Sequence, residues 1–172
     1  MSARGYRESS RVEKLETDIA IMGGGGSGLT AAVAAAEKGA KVIVLEKRKT
    51  PGGNSAMAMG LFGVESPVQE RMRIEARRDE FFKIAMDYSH WKINPRIVRA
   101  FVDKSGDTIR WLEEKGVCFD RVARFYPTQF HPVYHCPRVT KGREGAEVVR
   151  VLVKNSKDLG VRFLLQTSAK RI

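Results

Sequence analysis

The most constraining feature of the sequence is a short apolar strand that runs directly into a glycine turn and then into an alanine-rich helix. Residues 17–28 read Thr-Asp-Ile-Ala-Ile-Met-Gly-Gly-Gly-Gly-Ser-Gly. Gly23, Gly25 and Gly28 have the G-x-G-x-x-G spacing, in which one glycine allows a tight turn, one allows close backbone approach, and one packs helix on strand. The helix N-terminus offers N–H groups and partial positive charge to phosphates. This segment therefore predicts a site for the pyrophosphate of a dinucleotide.

The next residues complete a βαβ unit. Composition favours a helix over residues 29–38, and Gly39 is placed to end it in a left-handed conformation. Residues 41–45, Lys-Val-Ile-Val-Leu, predict a buried second parallel strand. Glu46 ends that strand 18 residues after Gly28, where an acid accepts hydrogen bonds from both ribose hydroxyls and repels a 2′-phosphate. Strand, helix and acid in register favour the dinucleotide site over a plain glycine turn.

A long run of small residues follows the ribose-binding acid. Residues 50–60 read Thr-Pro-Gly-Gly-Asn-Ser-Ala-Met-Ala-Met-Gly, where a nicotinamide-binding fold would usually begin its next helix. The backbone of this loop is expected to approach another group closely. Met57, Met59, Leu61 and Phe62 make the segment too apolar for a free linker.

Several motifs together resemble one enzyme family. They are Gly-Gly-Gly-Gly-Ser-Gly-Leu-Thr-Ala-Ala, Val-Leu-Glu-Lys and Gly-Gly-Asn-Ser-x-x-Ala-x-Gly, and the likeness continues through residues 94–101 and 111–117. With these motifs the chain resembles the flavoprotein subunits of fumarate reductases and succinate dehydrogenases, in particular the soluble members. The resemblance covers most of the chain.

The resemblance implies FAD as the cofactor and assigns residues to its parts. Membrane-bound relatives attach the flavin covalently through a histidine, and because Asn54 matches that position, non-covalent FAD is expected. Leu61 departs from the family at a position where many relatives have a second glycine. The implied contacts are Gly23, Gly25, Ser27 and Gly28 at the pyrophosphate, Glu46 at the adenosine ribose, and Gly53, Asn54, Ser55 and Gly60 along the flavin side. Their neighbours Gly26, Lys47 and Gly52 are further expected cofactor-binding residues.

The predicted fold class is α/β, a Rossmann-like FAD-binding domain with a parallel sheet and flanking helices. A helix over residues 144–159 and a third strand over 161–166 extend the βαβ unit. Residues 1–16 are polar and predict a disordered lead-in, and 17–172 are interpreted as the N-terminal portion of the domain. Members of the resembled family are much longer, so the fold is expected to be incomplete at the C-terminus, without the capping domain and the C-terminal return.

The middle of the chain is predicted to be helical. Ser66-Pro67 is a helix start signal for a segment that reaches Tyr88, and Asn94-Pro95 repeats that signal. A break near Ser105-Gly106 is expected to separate the second helix from another over 107–115, which Gly116 ends. These helices are expected to pack over the sheet and shield the flavin.

His131, His135 and Cys136 form an H-x-x-x-H-C cluster. Neighbouring prolines disfavour a helix there and no third ligand has suitable spacing, so no metal site is predicted and the segment is interpreted as an ordinary loop. From the position of this loop in the family, Arg138, Arg143 or His135 are candidates for contact with a substrate carboxylate. Simple surface charge is the favoured alternative for these residues.

Charge and composition limit the classes of partner. The formal charge is +11 and the pI is about 10, but the cations are scattered and no nucleic-acid motif or row of stacking aromatics accompanies them. A basic surface suited to an anionic cofactor and substrate is therefore favoured over nucleic-acid binding. The sequence contains no run of about 20 apolar residues, so it predicts no membrane-spanning helix. Cys118 and Cys136 have no metal-site or C-x-x-C spacing, which favours a reduced, cytoplasmic protein.

The chemistry that the resemblance implies is hydride transfer between the flavin and a carbon next to a carboxylate or carbonyl. In fumarate reductases an arginine delivers the accompanying proton, and by motif order it would lie beyond Ile172, so the 172-residue chain alone is expected to show no turnover. The substrate in the full-length protein would be a small carboxylate or carbonyl compound, and an electron-donor protein is a candidate partner. Two alternatives remain open: a related flavoenzyme, such as a ketosteroid dehydrogenase, aspartate oxidase or adenylylsulfate reductase, and a catalytically inactive FAD-binding or interaction fragment completed by a partner chain.

Overall fold

The computed structural model describes residues 13–124, 131–139 and 142–171. Two three-stranded sheets and five α-helices make up these residues. In chain order the elements are β1 (Ile19–Met22), α1 (Gly26–Ala36), β2 (Val42–Glu46), a 3₁₀ helix (Gly53–Met57), β3 (Leu61–Phe62), α2 (Pro67–Arg71), α3 (Arg78–Tyr88), α4 (Pro95–Glu114), β4 (Phe119–Ala123), β5 (Tyr134–Pro137), α5 (Glu144–Asp158) and β6 (Arg162–Leu165).

The first sheet is parallel and has the order β1-β2-β6. Ile19 is in register with Val42, and Ile43 with Arg162, so all three strands end at the same edge. β2 is almost entirely buried, as its apolar run predicts for the central strand of a parallel sheet. The predicted α/β class and parallel sheet with helices are confirmed.

The helices α1 and α5 pack together beside this sheet. Ala32 of α1 packs with Val42, Val44 and Val161 in one buried cluster. A second cluster joins α1 and α5 to α4, so that the main core lies between helices. Its fully or nearly fully buried members include Leu29, Val33, Ile109, Leu112, Val148, Val149 and Leu152.

The second sheet is antiparallel, has the order β3-β5-β4, and was not predicted. Leu61 pairs with His135, and Val122 pairs with the same residue from the other side. The prediction that the segment around His135 is an ordinary loop is therefore wrong, because this segment includes the central strand of the sheet. β3 has two residues and β5 has four, which is too short for a period-2 pattern to be distinguished in the sequence.

The helical middle segment differs from the prediction in two places. The segment that starts at Ser66 divides into α2 and α3, with Arg73 in a left-handed conformation (φ 54°) between them. The expected break at Ser105-Gly106 is absent, since α4 continues through both residues. Gly106 allows a close approach rather than a break, because a Cβ there would lie 2.5 Å from the carbonyl oxygen of Val64.

The predicted helix starts are confirmed. The Ser66 side chain accepts a hydrogen bond from the Gln69 amide (3.1 Å), and the Gln69 side chain accepts one from the Ser66 amide (3.1 Å), which forms a capping box before Pro67. Asn94 caps α4 by accepting from the Arg96 amide (3.0 Å). Residues 1–12 of the predicted lead-in lie outside the described residues.

Candidate cofactor site

The glycine turn lies between β1 and α1 at the carboxyl edge of the parallel sheet, the edge where ligands of such sheets bind. Gly23 has φ 102°, which a residue with a side chain rarely adopts. Gly28 lies in the first turn of α1, where a Cβ would come within 1.9 Å of the Gly23 carbonyl oxygen. Gly25 is different, since a Cβ there would meet nothing closer than 4.0 Å. Two glycines of the motif are thus required by the protein itself, and the middle one leaves an open face.

Glu46 at the end of β2 is tied to the glycine turn. Its Oε2 accepts a hydrogen bond from the Gly24 amide and its Oε1 accepts one from the Arg48 amide, each at 2.8 Å. These amides lower the pKa of Glu46 below its ordinary 4.5, although burial acts in the opposite direction. The carboxylate is therefore ionised at neutral pH, and each oxygen keeps a second lone pair for a hydroxyl donor.

A cleft opens beside Glu46. It is bounded by the end of β1, the end of β2 and the segment after β6, and Lys47 contributes an exposed side chain to it. Backbone bonds hold the last segment in place, since the Thr167 amide donates to the Glu46 carbonyl (3.0 Å). The lining residues are Met22, Gly23, Leu45, Glu46, Lys47, Thr167, Ser168 and Ala169.

The second glycine loop is bonded directly to the first. The Gly52 amide donates to the Gly24 carbonyl at 2.7 Å, and the Ser55 hydroxyl accepts from the Gly26 amide at 3.1 Å. Gly52 has φ 125° and Gly53 φ 53°, so this turn requires glycines. The two loops form one continuous surface of small residues at the start of α1.

Helix α5 supports this second loop from behind. The Gly145 amide donates to the Ala58 carbonyl (2.8 Å), and a Cβ on Gly145 would lie 2.1 Å from the Ser55 carbonyl oxygen. A Cβ on Gly52 would lie 3.2 Å from Val149. The packing of α5 therefore determines the position of the 52–58 loop relative to the start of α1.

The structure brings together eleven of the twelve residues predicted to bind the cofactor and places the twelfth apart. The turn, Glu46, Lys47 and the 52–55 loop lie around the start of α1 and the adjoining cleft. Gly60 instead adjoins the second sheet, where a Cβ would lie 2.7 Å from the Tyr134 ring and 3.0 Å from the His135 carbonyl oxygen. Its small size is explained by packing against β5.

Three site features were not singled out from the sequence. Gly24 fills a variable position of the glycine motif, yet its amide binds Glu46. The role of Gly145 is not predictable from local sequence, because it depends on the packing of α5 against the 52–58 loop. The 167–169 segment was identifiable in principle, because it follows the third parallel strand and the ends of parallel strands share one edge.

The residues predicted as substrate contacts do not form a cluster. His135 is fully buried, with its Nε2 2.6 Å from the Ser66 hydroxyl and its Nδ1 3.2 Å from the Val133 carbonyl. Burial lowers its pKa, which keeps the ring neutral. Arg138 is exposed and pairs with Asp120 (3.1 Å), and Arg143 lies exposed just before α5. Because the His135 side chain has no solvent-exposed area, it is unable to contact a substrate in this structure.

Two general properties hold for the described ranges. None of their helices combines the length and hydropathy needed to cross a bilayer. Within the same ranges, no three His, Cys, Asp or Glu side chains are grouped so as to hold a metal ion.

Comparisons with known proteins agree with this site. A family model described as "FAD binding domain" matches residues 18–172. Vinyl phenol reductase of Lactiplantibacillus plantarum is 34% identical over 88% of this chain and 30% of its own length. NADH:fumarate oxidoreductase of Klebsiella pneumoniae is 31% identical over 90% of this chain and 17% of its own length. The chain thus spans less than a third of either relative.

The fold is similar to that of a solved relative. The open conformation of a flavocytochrome c3 fumarate reductase superposes with a TM-score of 0.79 at 28% identity, over 87% of this chain and 26% of that one. These matches confirm the resemblance to fumarate reductase flavoproteins. The match to the family model spans the glycine turn, Glu46 and the small-residue loop.

Proposed function

Since the chain belongs to the family of FAD binding domains, we propose that it is the cofactor-binding part of a flavin-dependent oxidoreductase of the fumarate reductase type. The family establishes FAD as the cofactor. The observation that carries the assignment to particular residues is the open face at Gly25, because a Cβ there would meet nothing closer than 4.0 Å, whereas a Cβ at Gly24, Gly26 or Gly28 would meet protein atoms at 3.2 Å or less.

The residues at the start of α1 fit a diphosphate. The first amides of a helix have no acceptor within it, and the helix dipole adds partial positive charge. In the proposed arrangement the pyrophosphate lies over Gly23, Gly25, Gly26, Ser27 and Gly28. A side chain at Gly25 would occupy that position, whereas hydrogen is small enough to leave it clear.

The remaining contacts follow from the two flanking regions. Glu46 accepts from the ribose hydroxyls of the adenosine, with Lys47 at the same cleft. Gly52, Gly53, Asn54 and Ser55 are proposed to lie along the flavin side, without Gly60, which packs against β5, and FAD is proposed to be held without a covalent bond. The ionised Glu46 also disfavours a dinucleotide with a 2′-phosphate, which gives specificity by repulsion.

The activity of the whole protein is proposed on the same basis. Bound FAD supplies hydride chemistry at a carbon next to a carboxylate or carbonyl, and the chain's own residues position it and exclude water. The proposed substrate is a small carboxylate or carbonyl compound, supported by the fumarate oxidoreductase among the relatives. A separate electron-donor protein is the proposed redox partner. The two free cysteines support a cytoplasmic location.

The test is a pair of glycine substitutions in the same turn. Gly25→Ala is expected to fold normally, because its φ of −76° suits alanine and the nearest atom to the new Cβ is 4.0 Å away. Its affinity for FAD is expected to fall by about tenfold or more, equivalent to about 1.4 kcal/mol, as a methyl group enters the diphosphate position. Binding is measured by flavin fluorescence titration and by absorbance retained after gel filtration.

Gly28→Ala is the matched control for folding. Its Cβ would collide with the Gly23 carbonyl, so thermal stability and FAD binding should be lost together. Gly25→Ala that binds FAD as tightly as the parent chain would refute the proposed position of the pyrophosphate.

A further inference from the structure

We propose that four exposed cations at the carboxyl edge of the parallel sheet steer the anionic dinucleotide into its cleft. These cations, named the cationic rim, are Arg48, Lys49, Lys170 and Arg171. This inference rests on the proposed function, because it assumes that the cleft beside Glu46 takes the adenosine end of FAD.

The rim comes from two chain segments that meet at the cleft. Arg48 and Lys49 follow Glu46 and Lys47, which line it, and Lys170 and Arg171 follow Ala169, which lines its opposite side. The two segments are held side by side by backbone bonds, since the Gln166 amide donates to the Arg48 carbonyl at 3.1 Å. Their charges are therefore concentrated around one opening although they are far apart in sequence.

The rim cations have no ion-pair partner within the described part of the chain, whereas many cations elsewhere on its surface do. Arg99 binds both Asp79 and Asp103, and Arg71 binds Glu113 at 2.6 Å. Arg138, Arg150 and Lys154 likewise have carboxylate partners. The rim cations are thus not held in ion pairs by neighbouring carboxylates, although the charge of Arg48 is close enough to that of Glu46 to interact with it.

Carboxylates around the sheet are distributed unevenly. Glu46 is the one acidic residue among those that line the cleft, where its carboxylate accepts hydrogen bonds from two backbone amides and Lys47 adds one positive charge. Glu16 lines an opening at the opposite edge of the sheet, and Asp18 accepts a hydrogen bond from the Lys41 amide there (2.7 Å). The field of the rim is consequently opposed by little negative charge on its own side.

Exposed cations of this kind act mainly on the rate of encounter. A cleft lined by one sign of charge raises the local concentration of an oppositely charged ligand, and the effect falls steeply with ionic strength. Because the rim side chains are exposed, they contribute little once the ligand is bound. The rim is therefore expected to set the association rate constant and its salt dependence, and to leave the dissociation rate constant nearly unchanged.

The experiment compares two variants with equal loss of charge. The rim variant carries Arg48→Gln, Lys49→Gln, Lys170→Gln and Arg171→Gln. The control carries Arg73→Gln, Lys92→Gln, Arg96→Gln and Lys157→Gln, whose parent residues are exposed and equally without an ion pair in the described ranges. Association and dissociation of FAD are followed by stopped-flow flavin fluorescence at ionic strengths from about 0.01 M to about 1 M, where the Debye length falls from about 30 Å to about 3 Å.

The rim variant is expected to bind FAD about five- to tenfold more slowly than the parent at low ionic strength and at nearly the same rate at high ionic strength. The control should stay close to the parent at every ionic strength. Equal association rates in both variants would overturn the steering role, and so would a slower rate confined to dissociation.

Failure of the proposed function gives a different result. A parent chain that folds but binds no FAD at any ionic strength would remove the basis of both proposals. Circular dichroism melting checks that the rim variant is folded. If it is not, the double variant Lys170→Glu and Arg171→Glu, which leaves the β2 turn intact, is measured in its place and must show the same loss of association rate.

Discussion

At the scale of single residues, the glycines of this site divide into two kinds. Gly23, Gly28 and Gly52 are required by backbone conformation or by contact with other protein atoms. Gly25 has a conformation open to alanine and a free face. The motif spacing predicts the positions of the glycines in the turn, but only the three-dimensional contacts separate Gly25, which we propose the ligand requires, from the glycines that the fold requires.

Glu46 links the stability of the domain to its specificity. Glu46→Gln keeps the shape but replaces one acceptor oxygen with an NH₂ group that faces a backbone amide donor. We expect a loss of about 1–3 kcal/mol in the free energy of unfolding at neutral pH, together with weaker FAD binding. Urea unfolding at several pH values and FAD titration measure the two effects.

The pH dependence of that loss has a defined sign. The folded state lowers the pKa of Glu46, so its stabilisation is complete above about pH 4.5, the ordinary value, and disappears as the pH falls toward the lower folded value. The difference between parent and Glu46→Gln should therefore shrink below about pH 4.5. Glu16→Gln, at an exposed carboxylate, should show no comparable loss at neutral pH. A difference that stays constant into acid would contradict the role of the charged form.

At the scale of elements, local sequence signals predicted helix starts better than helix interiors. Ser66-Pro67 and Asn94-Pro95 both begin helices, because capping depends on residues within one turn. The predicted break at Ser105-Gly106 is wrong, because both residues contact the backbone of Val64, which is distant in sequence. The second sheet was not predicted from local signals either, because β3 has two residues and pairs with β5 more than 70 residues later in the chain.

Gly106 in α4 provides a test in which helix propensity and packing predict opposite signs. Glycine to alanine in a helix interior ordinarily stabilises by about 0.5–1 kcal/mol. At Gly106 the new Cβ would lie 2.5 Å from the Val64 carbonyl oxygen and 2.7 Å from that of Glu65, so Gly106→Ala should destabilise by about 1–3 kcal/mol. Thermal unfolding measures the change.

Thr108→Ala is the control on the same helix. Thr108 is exposed, so alanine there should be neutral or slightly stabilising. A Gly106→Ala chain that melts above the parent would show that α4 does not pack against the 64–65 backbone as described.

At the scale of the whole molecule, the fold class and most of the cofactor surface followed from about the first third of the sequence. That was possible because a βαβ unit is local, with one strand, one helix and one strand in order. The residues that pack behind the cofactor surface were not predictable, because only tertiary packing brings them to it. They are Gly145, Val149 and the 167–169 segment. Long-range assembly is where single-sequence patterns carry least information.

We expect the free energy of unfolding of the domain to decrease at acidic pH because of His135. Burial lowers the pKa of this imidazole, an effect larger than the opposing influence of the Val133 and Leu61 carbonyls and of the Glu113 carboxylate. The unfolded chain then takes up a proton more readily, so stability is complete above about pH 6.5 and falls as the pH decreases toward the lower folded value.

His135→Gln is expected to lower the melting temperature at about pH 7.5 through the loss of buried hydrogen bonds and to reduce the further drop between about pH 6.5 and pH 5. Differential scanning calorimetry at matched ionic strength measures both. His90→Gln, at an exposed histidine, should reproduce the parent's profile. An unchanged acid profile in His135→Gln would exclude this imidazole as the responsible group.

The packing of Gly52 against Val149 and of Ser55 against Gly145 also determines when the site takes shape during synthesis. The glycine turn and β2 leave the ribosome early, but the helix that fixes the 52–58 loop is translated about ninety residues after it. At ordinary elongation rates of about 5–20 residues per second, the turn waits several seconds before its support arrives. A nascent chain arrested before α5 therefore lacks the contacts that set the spacing of the two glycine loops, and the cofactor surface takes its final shape only after α5 has packed.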